Sequence, residues 1–304
     1  MNKPRNPQVP KIRSTVIERP RLPGWLKKPI SKFHQGNEIR KILQHEEIHT
    51  VCESAQCPNR GECFSKKTVT FMVLGDHCTR TCGFCAVTAG KPLPLNIHEP
   101  QQVAEAAKKL GLRHVVITSV NRDDLPDGGS QHFAEVIIAV REQLPSASIE
   151  VLTPDFKGNH KALQNIFMAQ PNVFNHNVET IPDFYSFVRP QANYQQSLQV
   201  LKWAKQAGMA QTKSGIMLGF GETEPQVLQV LQDLKENGVD VVTIGQYLSP
   251  SSQHLPVKEY IHPDQFKRYE TLGMAMGFKD VFSGPFVRSS YNAEERYLEA
   301  KNSA

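Results

Sequence analysis

From residue 68 onward, short runs of apolar and β-branched residues alternate with longer segments in which apolar positions recur every three or four residues. The runs predict strands at 68–74, 114–120, 148–153, 173–179, 214–218 and 239–244. The longer segments predict helices at 99–110, 130–144, 159–170, 193–207, 224–237 and 263–277. Gly111 ends the first of these and Pro145 follows the second, as expected of helix C-termini. Six strands, each followed by a helix, imply a parallel sheet wound in one sense. Continuous apolarity within strands such as 239–244 fits a sheet covered on both faces.

The pattern leaves two α/β architectures open, a doubly wound open sheet and a partial (βα) barrel. Polar residues gather after the strands, as in Asn121-Arg122-Asp123-Asp124, Pro154-Asp155, Asn177-Val178-Glu179-Thr180 and Gln246-Tyr247. In both architectures the active site lies at that C-terminal edge. Upstream the periodicity is lost. Residues 1–30 hold six prolines and many Lys and Arg, and read as a basic, extended arm. A short helix is expected at 37–43, and the Glu-, Pro- and Gly-bearing segment after it reads as loop.

A chain of 304 residues buries enough surface to fold without disulfide staples. No apolar run reaches the roughly 18 residues of a membrane span, and Met1 to Pro7 opens no apolar signal core. The default expectation is a cytoplasmic protein. The net charge of +5 suits a solvated tail or an acidic protein partner. No basic stretch is interleaved with stacking aromatics, which disfavours nucleic acid. The eleven histidines are read as structural.

All six cysteines lie between Cys52 and Cys85, so they build a site and not a scaffold. Cys78, Cys82 and Cys85 form a C-x-x-x-C-x-x-C pattern directly after the first strand. Three thiolates on one tight loop leave one iron of a 4Fe–4S cube open for chemistry. A structural zinc site calls instead for four ligands in paired C-x-x-C knuckles. Gly83 allows the loop to bend closely, and Phe84 offers an apolar wall. Cys52, Cys57 and Cys63 are spaced like no ordinary zinc finger or ferredoxin, and no seventh cysteine completes a second set of four.

The cysteine loop in its strand–loop–helix setting resembles the radical S-adenosylmethionine (SAM) superfamily. Within it the chain resembles the lipoyl synthases, which pair this loop with a C-x4-C-x5-C motif and a C-terminal Arg-Ser-Ser-Tyr, here Arg288-Ser289-Ser290-Tyr291. Further matches include Asp123-Asp124-Leu125-Pro126-Asp127-Gly128-Gly129, His176-Asn177-Val178-Glu179-Thr180, Val188-Arg189-Pro190 and Gly221-Glu222-Thr223. Glu53-Ser54-Ala55 and Asn292 depart from the common family pattern without removing a ligand.

The resemblance implies a partial (βα)6 TIM-like barrel over 68–280. It is flanked by the arm at 1–30, an extension at 31–67 carrying the first cysteines, and a C-terminal segment at 281–304. It implies two 4Fe–4S clusters and SAM. Cys78, Cys82 and Cys85 would hold the SAM-cleaving cluster. Cys52, Cys57, Cys63 and Ser290 would hold an auxiliary one, with Ser289 the neighbouring alternative. Ser119, Asn121, Asn177 and Glu179 are candidate SAM contacts.

The implied reaction inserts two sulfurs, taken from the auxiliary cluster, at carbons 6 and 8 of an octanoyl chain on a carrier-protein lysine. The carrier would be a lipoyl domain or glycine-cleavage H protein, and the electron donor a ferredoxin or flavodoxin. A methylthiotransferase or a biotin-synthase-like enzyme is the competing member of the same superfamily.

Overall fold

The computed structural model describes residues 21–27 and 37–302. The expected basic arm therefore lies mostly outside the described residues. Its described part, 21–27, buries Leu26 and sets Trp25 edge-on to His262 with ring centroids 4.9 Å apart.

Helix α1 (Asn37–His45) leads into a two-residue strand β1 (His49–Thr50) and two short helices, α2 (Val51–Ser54) and α3 (Arg60–Ser65). The segment read as loop is thus partly helical. Thr50 caps α2 by accepting a hydrogen bond from the Glu53 amide, a local signal hidden by the short length of the turn. Strand β2 (Thr70–Val73) is followed by a small ribbon, β3 (His77–Cys78) beside β4 (Thr88–Ala89), which brackets the second cysteine motif.

Regular alternation then begins with α4 (Glu99–Leu110), β5 (His114–Ser119), α5 (Ser130–Gln143), β6 (Ser148–Leu152) and α6 (His160–Met168). It continues with β7 (Val173–Asn175), α7 (Tyr185–Val188), α8 (Tyr194–Gln206), β8 (Gln211–Leu218), α9 (Glu224–Glu236), β9 (Val241–Gln246) and α10 (Pro263–Ala275). Strand β10 (Asp280–Gly284) and helix α11 (Ala293–Asn302) complete the order.

The helices form where expected because the local chemistry agrees with the pattern. In α4, Val103, Ala104, Ala107 and Leu110 line the buried face, and Gly111 at φ 65° stops it in the left-handed region. Asn159 and Asn193 cap α6 and α8 through their side chains.

The main sheet runs β1-β2-β5-β6-β7-β8-β9-β10, all parallel except β1. Its parallel strands follow one another in chain order from β2 to β10, without the reversal of order that a doubly wound sheet requires, and its outer strands β1 and β10 do not pair, so six βα units and one extra strand make an open barrel.

Two differences from the sequence expectation matter. The seventh parallel strand, β10, is short and mixed in sequence, and its extended form comes from pairing with β9. Strand β7 stops at Asn175, short of residue 179. Glu179, at φ 67°, returns to the sheet by a single bridge to Ile216. Residues 176–180 are thereby irregular backbone at the barrel mouth.

The lower interior is polar: Lys213 of β8 donates to Glu150 of β6 at 2.9 Å, with His114 of β5 close by at 3.5 Å. Helix α11 runs beneath, with Tyr297 against His114 and the Arg296 guanidinium 3.9 Å over Phe282. Among the described residues no helix is long and apolar enough to cross a membrane.

Candidate active site

At the C-terminal ends of the strands a cavity of about 840 Å³ opens. It is lined by all six cysteines, by Ser119, Asn121, Asn177 and Glu179, and by both Ser289 and Ser290. Residues more than 230 positions apart in sequence share this one cavity, and every candidate cluster ligand and SAM contact proposed from the sequence is among them.

The Cys78–Cys85 loop is fixed from two sides. On one side Gly83 donates to the Val188 carbonyl at 2.9 Å and accepts from the Leu255 amide at 3.1 Å. A Cβ at Gly83 would stand 2.8 Å from Leu255 Cδ1 and 3.0 Å from the Phe187 carbonyl, so this approach requires glycine. The His254 Nε2–H donates to the Cys85 carbonyl at 3.0 Å, and Ser251 donates to His254 Nδ1 at 2.8 Å, which fixes the tautomer. On the other side Arg80 reaches Asp123 and Asp155.

Cys78 Sγ accepts from the Asn121 amide at 3.3 Å and the Arg80 amide at 3.5 Å. Burial pushes the Cys85 thiol up to about 12 and the Cys52 thiol up to about 11. Burial also raises Cys82, against the pull of the Arg189 guanidinium. Such thiols lose their protons to a bound metal, not to water. Among the described residues no three His, Cys, Asp or Glu side chains converge on a single-ion position. The cysteines of both trios line the same cavity.

Beside this loop the wall is polar and unsatisfied. Ser119 Oγ, Asn121 Oδ1, Thr153 Oγ1, Asn177 Oδ1 and Arg189 Nε are buried with no hydrogen-bond partner. Orphaned polar atoms on a cavity wall call for a polar ligand. Burial raises the Glu179 carboxyl while Arg189 draws it down, so a negative and a positive side chain flank the same space. Arg189 itself is anchored by donation to the Asn177 carbonyl at 2.9 Å and to Tyr185 Oη at 3.2 Å. A ligand carrying an ammonium, a carboxylate and several hydroxyl or ring nitrogen groups, as SAM does, fits this donor and acceptor set.

The first cysteine group meets the C-terminal turn on the opposite wall. Cys52 lies on α2, Cys63 on α3 and Cys57 between them. Asn59 donates to the Phe286 carbonyl at 2.7 Å, and Tyr291 donates to Glu62 at 2.8 Å. Gly245 of β9 makes room for the turn, since a Cβ there would stand 2.2 Å from the Val287 carbonyl oxygen. Arg288 lines the cavity within the electrostatic reach of Cys57 and Glu179. Ser289 accepts from Asn177, whereas the Ser290 hydroxyl has no hydrogen bond among the described residues.

Sequence reading assigned no individual role to Arg80, Arg189, Tyr247 or His254, although Arg189 lies in a matched segment and Tyr247 at a strand end. The histidine reading gave no role to His254, and only its contact with the Cys85 carbonyl brings it into the site. The signal for Arg189 is a lone cation between the apolar helix α7 and Pro190, which in the fold buries it at the cavity.

A model of the radical SAM superfamily matches residues 72–234. A lipoyl synthase of Rubrobacter xylanophilus is 52% identical over 283 residues, 93% of this chain and 88% of that protein. One of Caldanaerobacter subterraneus subsp. tengcongensis is 54% identical over 90% of this chain and 96% of its own length. Among solved structures, the FeFe-hydrogenase maturase HydG from Carboxydothermus hydrogenoformans superposes with a TM-score of 0.58 at 16% identity. That match covers 87% of this chain and 69% of that one, a likeness of fold.

Proposed function

Because the chain belongs to the lipoyl synthase family of the radical SAM superfamily, we propose that its mouth cavity holds two 4Fe–4S clusters and SAM, and that it inserts sulfur at carbons 6 and 8 of a protein-bound octanoyl chain. The chain is an enzyme of the radical SAM class, using SAM and a 4Fe–4S cluster and acting on lipoyl-carrier proteins. The observation that carries the finer reading is that both cysteine trios and Ser290 line one cavity. A carbon placed between them is within reach of both walls without leaving the site.

In this reading Cys78, Cys82 and Cys85 hold the cluster that binds SAM, and Cys52, Cys57, Cys63 and Ser290 hold the auxiliary one. Bound there, SAM and the clusters supply one-electron chemistry and sulfide, the means of functionalising an unactivated methylene that no side-chain base can deprotonate. The protein's share is placement and exclusion of water. Glu179 would hold the ammonium of SAM and Arg189 its carboxylate, while Ser119 and Asn121 would satisfy polar groups beside them. Met72, Leu152, Ile216 and Met217 give the cavity an apolar stretch for the acyl chain. Ser290 is a harder ligand than a thiolate and less matched to iron in a sulfide cluster. It is therefore the ligand best suited to release.

The carrier is an octanoylated lipoyl domain or glycine-cleavage H protein, the electron donor a ferredoxin or flavodoxin, and the compartment the cytoplasm. Anaerobic reconstitution, iron and sulfide counting, and single turnover with an octanoyl-lysyl peptide test the reading. Sulfur at both carbons supports it. A chain that binds iron at one trio only, or cleaves SAM without forming a C–S bond, refutes it.

A further inference from the structure

We propose that Arg80, held by Asp123 and Asp155, is a positioning residue that fixes the first half of the Cys78–Cys85 loop and so sets the geometry at which its cluster binds SAM. The inference rests on the reading that these three cysteines carry a cluster. Arg80 is the middle residue between the first and second cysteines, a place where a long charged side chain ordinarily points to solvent. Here its side chain is 3% exposed.

The guanidinium makes two forks. Nε and Nη2 donate to the Asp123 carboxylate at 2.7 and 3.1 Å, and Nη1 and Nη2 donate to the Asp155 carboxylate at 3.0 and 2.6 Å. Four hydrogen bonds in one plane define both the position and the rotation of the group, which a lysine ammonium cannot do. Asp155 is itself held, accepting from the Lys157 amide at 3.0 Å, and its side chain is fully buried.

The two carboxylates belong to different strand ends, Asp123 following β5 and Asp155 following β6. Arg80 therefore ties the loop to the rigid rim of the barrel at two points. The tie continues through Thr79, whose hydroxyl donates to the Asn121 carbonyl at 2.9 Å and accepts from the Asp123 amide at 3.0 Å. Asn121 in turn contributes its amide to Cys78 Sγ. The second half of the loop is held separately, by the backbone bonds at Gly83 and the His254 contact at Cys85. Gln191 also reaches Thr81, but this pair is exposed. Arg80 is thus the buried anchor of the Cys78–Cys82 half, and a displaced guanidinium would be felt first at those two sulfurs.

The test compares the parent chain with Arg80→Lys and with the double variant Arg80→Gln/Asp155→Asn, which removes the charge from Arg80 and from its fully buried partner and leaves only the partly exposed Asp123 carboxylate charged. All are anaerobically reconstituted at full length. Three measurements are made: melting of the metal-free chain, electron paramagnetic resonance of the reduced enzyme with and without SAM, and the rate of reductive SAM cleavage. The expected result is a metal-free double variant that melts like the parent. Both variants should show a blunted response of the cluster signal to SAM and a roughly ten-fold or greater loss in cleavage rate. A parent-like SAM response and rate in either variant would overturn the proposal. So would collapse of both metal-free variants, which would make the bridge a scaffold element only. A parent with no SAM-responsive signal would instead refute the cluster assignment on which the proposal stands.

Discussion

Asn177 Nδ2 donates to the Ser289 hydroxyl at 2.6 Å and, from the same amide, reaches Glu179 Oε1 at 3.1 Å. One side chain thus joins the 176–180 segment to the C-terminal turn and distinguishes two adjacent serines: Ser289 is engaged by Asn177, while Ser290 lines the same cavity and is, in the proposed reading, the ligand of the auxiliary cluster. Ser290→Ala should lower reconstituted iron to about half of the parent content, one cluster of two, and abolish sulfur insertion while SAM cleavage persists. Ser289→Ala should keep its iron and raise the KM for SAM. Iron counting and cleavage assays decide between them, and the reverse pattern would exchange the two serines.

If Ser290 is the ligand that lets go, a better ligand should hamper turnover. Ser290→Cys should bind the auxiliary cluster at least as well as the parent and insert sulfur more slowly, because thiolate matches iron better than a hydroxyl does. Formation of both C–S bonds at the parent rate in single turnover would show that release of this ligand plays no part.

Arg189 is anchored by carbonyl and phenol oxygens but leaves Nε unpartnered at the cavity. Removing one side of a buried charged contact costs about 2 kcal/mol or more, roughly 30-fold in affinity. Arg189→Gln should therefore weaken SAM binding by that factor or more in equilibrium dialysis of the reconstituted enzyme. Arg189→Lys should not restore it, since the ammonium cannot reproduce the planar fork. Unchanged SAM affinity in Arg189→Gln would remove this residue from the binding site.

The barrel was legible because hydrophobic periodicity and helix punctuation agree in this chain, down to Gly111 closing α4. The cysteine groups were legible as a candidate site because cysteine is rarely placed without reason, and the fold brings both groups to one cavity. Arg80, Arg189 and His254 were not, since the value of an arginine or histidine depends on what the fold brings to it. Asp123 and Asp155 sit 43 and 75 positions from Arg80, and His254 lies 169 positions from Cys85. The helical turns around Cys52 and Cys63 were missed for a related reason. Segments of four to six residues carry no periodicity, and their conformation follows from caps and from docking on Phe286 and Tyr291.

His176 supplies a pH dependence. Burial lowers its imidazolium to about 4 from 6.5, with the Arg189 and Arg80 guanidiniums acting in the same direction and Asp155 against them. The ring donates from Nδ1 to the Thr153 carbonyl at 2.8 Å and accepts from Ser197 at 3.1 Å, so the neutral form is the one satisfied. A folded-state pKa below the unfolded one means that the unfolded chain takes up a proton first as pH falls. The contribution of this group to stability should be constant above pH 6.5, fall by up to about 3 kcal/mol between pH 6.5 and 4, and show no further loss below that. Asp155, which burial raises but Arg80 draws down to about 2, acts in the next window, between 3.8 and 2. In urea unfolding of the metal-free chain, His176→Asn should flatten the first window and leave the second.

Gly245 offers the sharpest test of how the C-terminal turn is seated. An added Cβ would lie 2.2 Å from the Val287 carbonyl oxygen, 3.2 Å from its carbon and 3.3 Å from Arg288 Nη1. The obstacle is backbone, so no rotamer change relieves it. Strand β9 is paired on both sides and cannot retreat. The turn must move instead, against the hydrogen bonds that Asn59 makes to Phe286 and Tyr291 to Glu62. Ser290 would move with it, while the Cys78–Cys85 loop, held by Arg80 and by the Gly83 and His254 contacts, would stay in place. Gly245→Ala should therefore lose the iron of the auxiliary site and all sulfur insertion yet retain SAM cleavage within a few-fold of the parent. Gly90→Ala, whose Cβ would meet His77 at an ordinary 3.4 Å, should behave like the parent. Full iron content and sulfur insertion in Gly245→Ala would mean that the turn does not need this seat to place Ser290. Equal loss of both activities would mean that the two walls of the cavity are not independently supported.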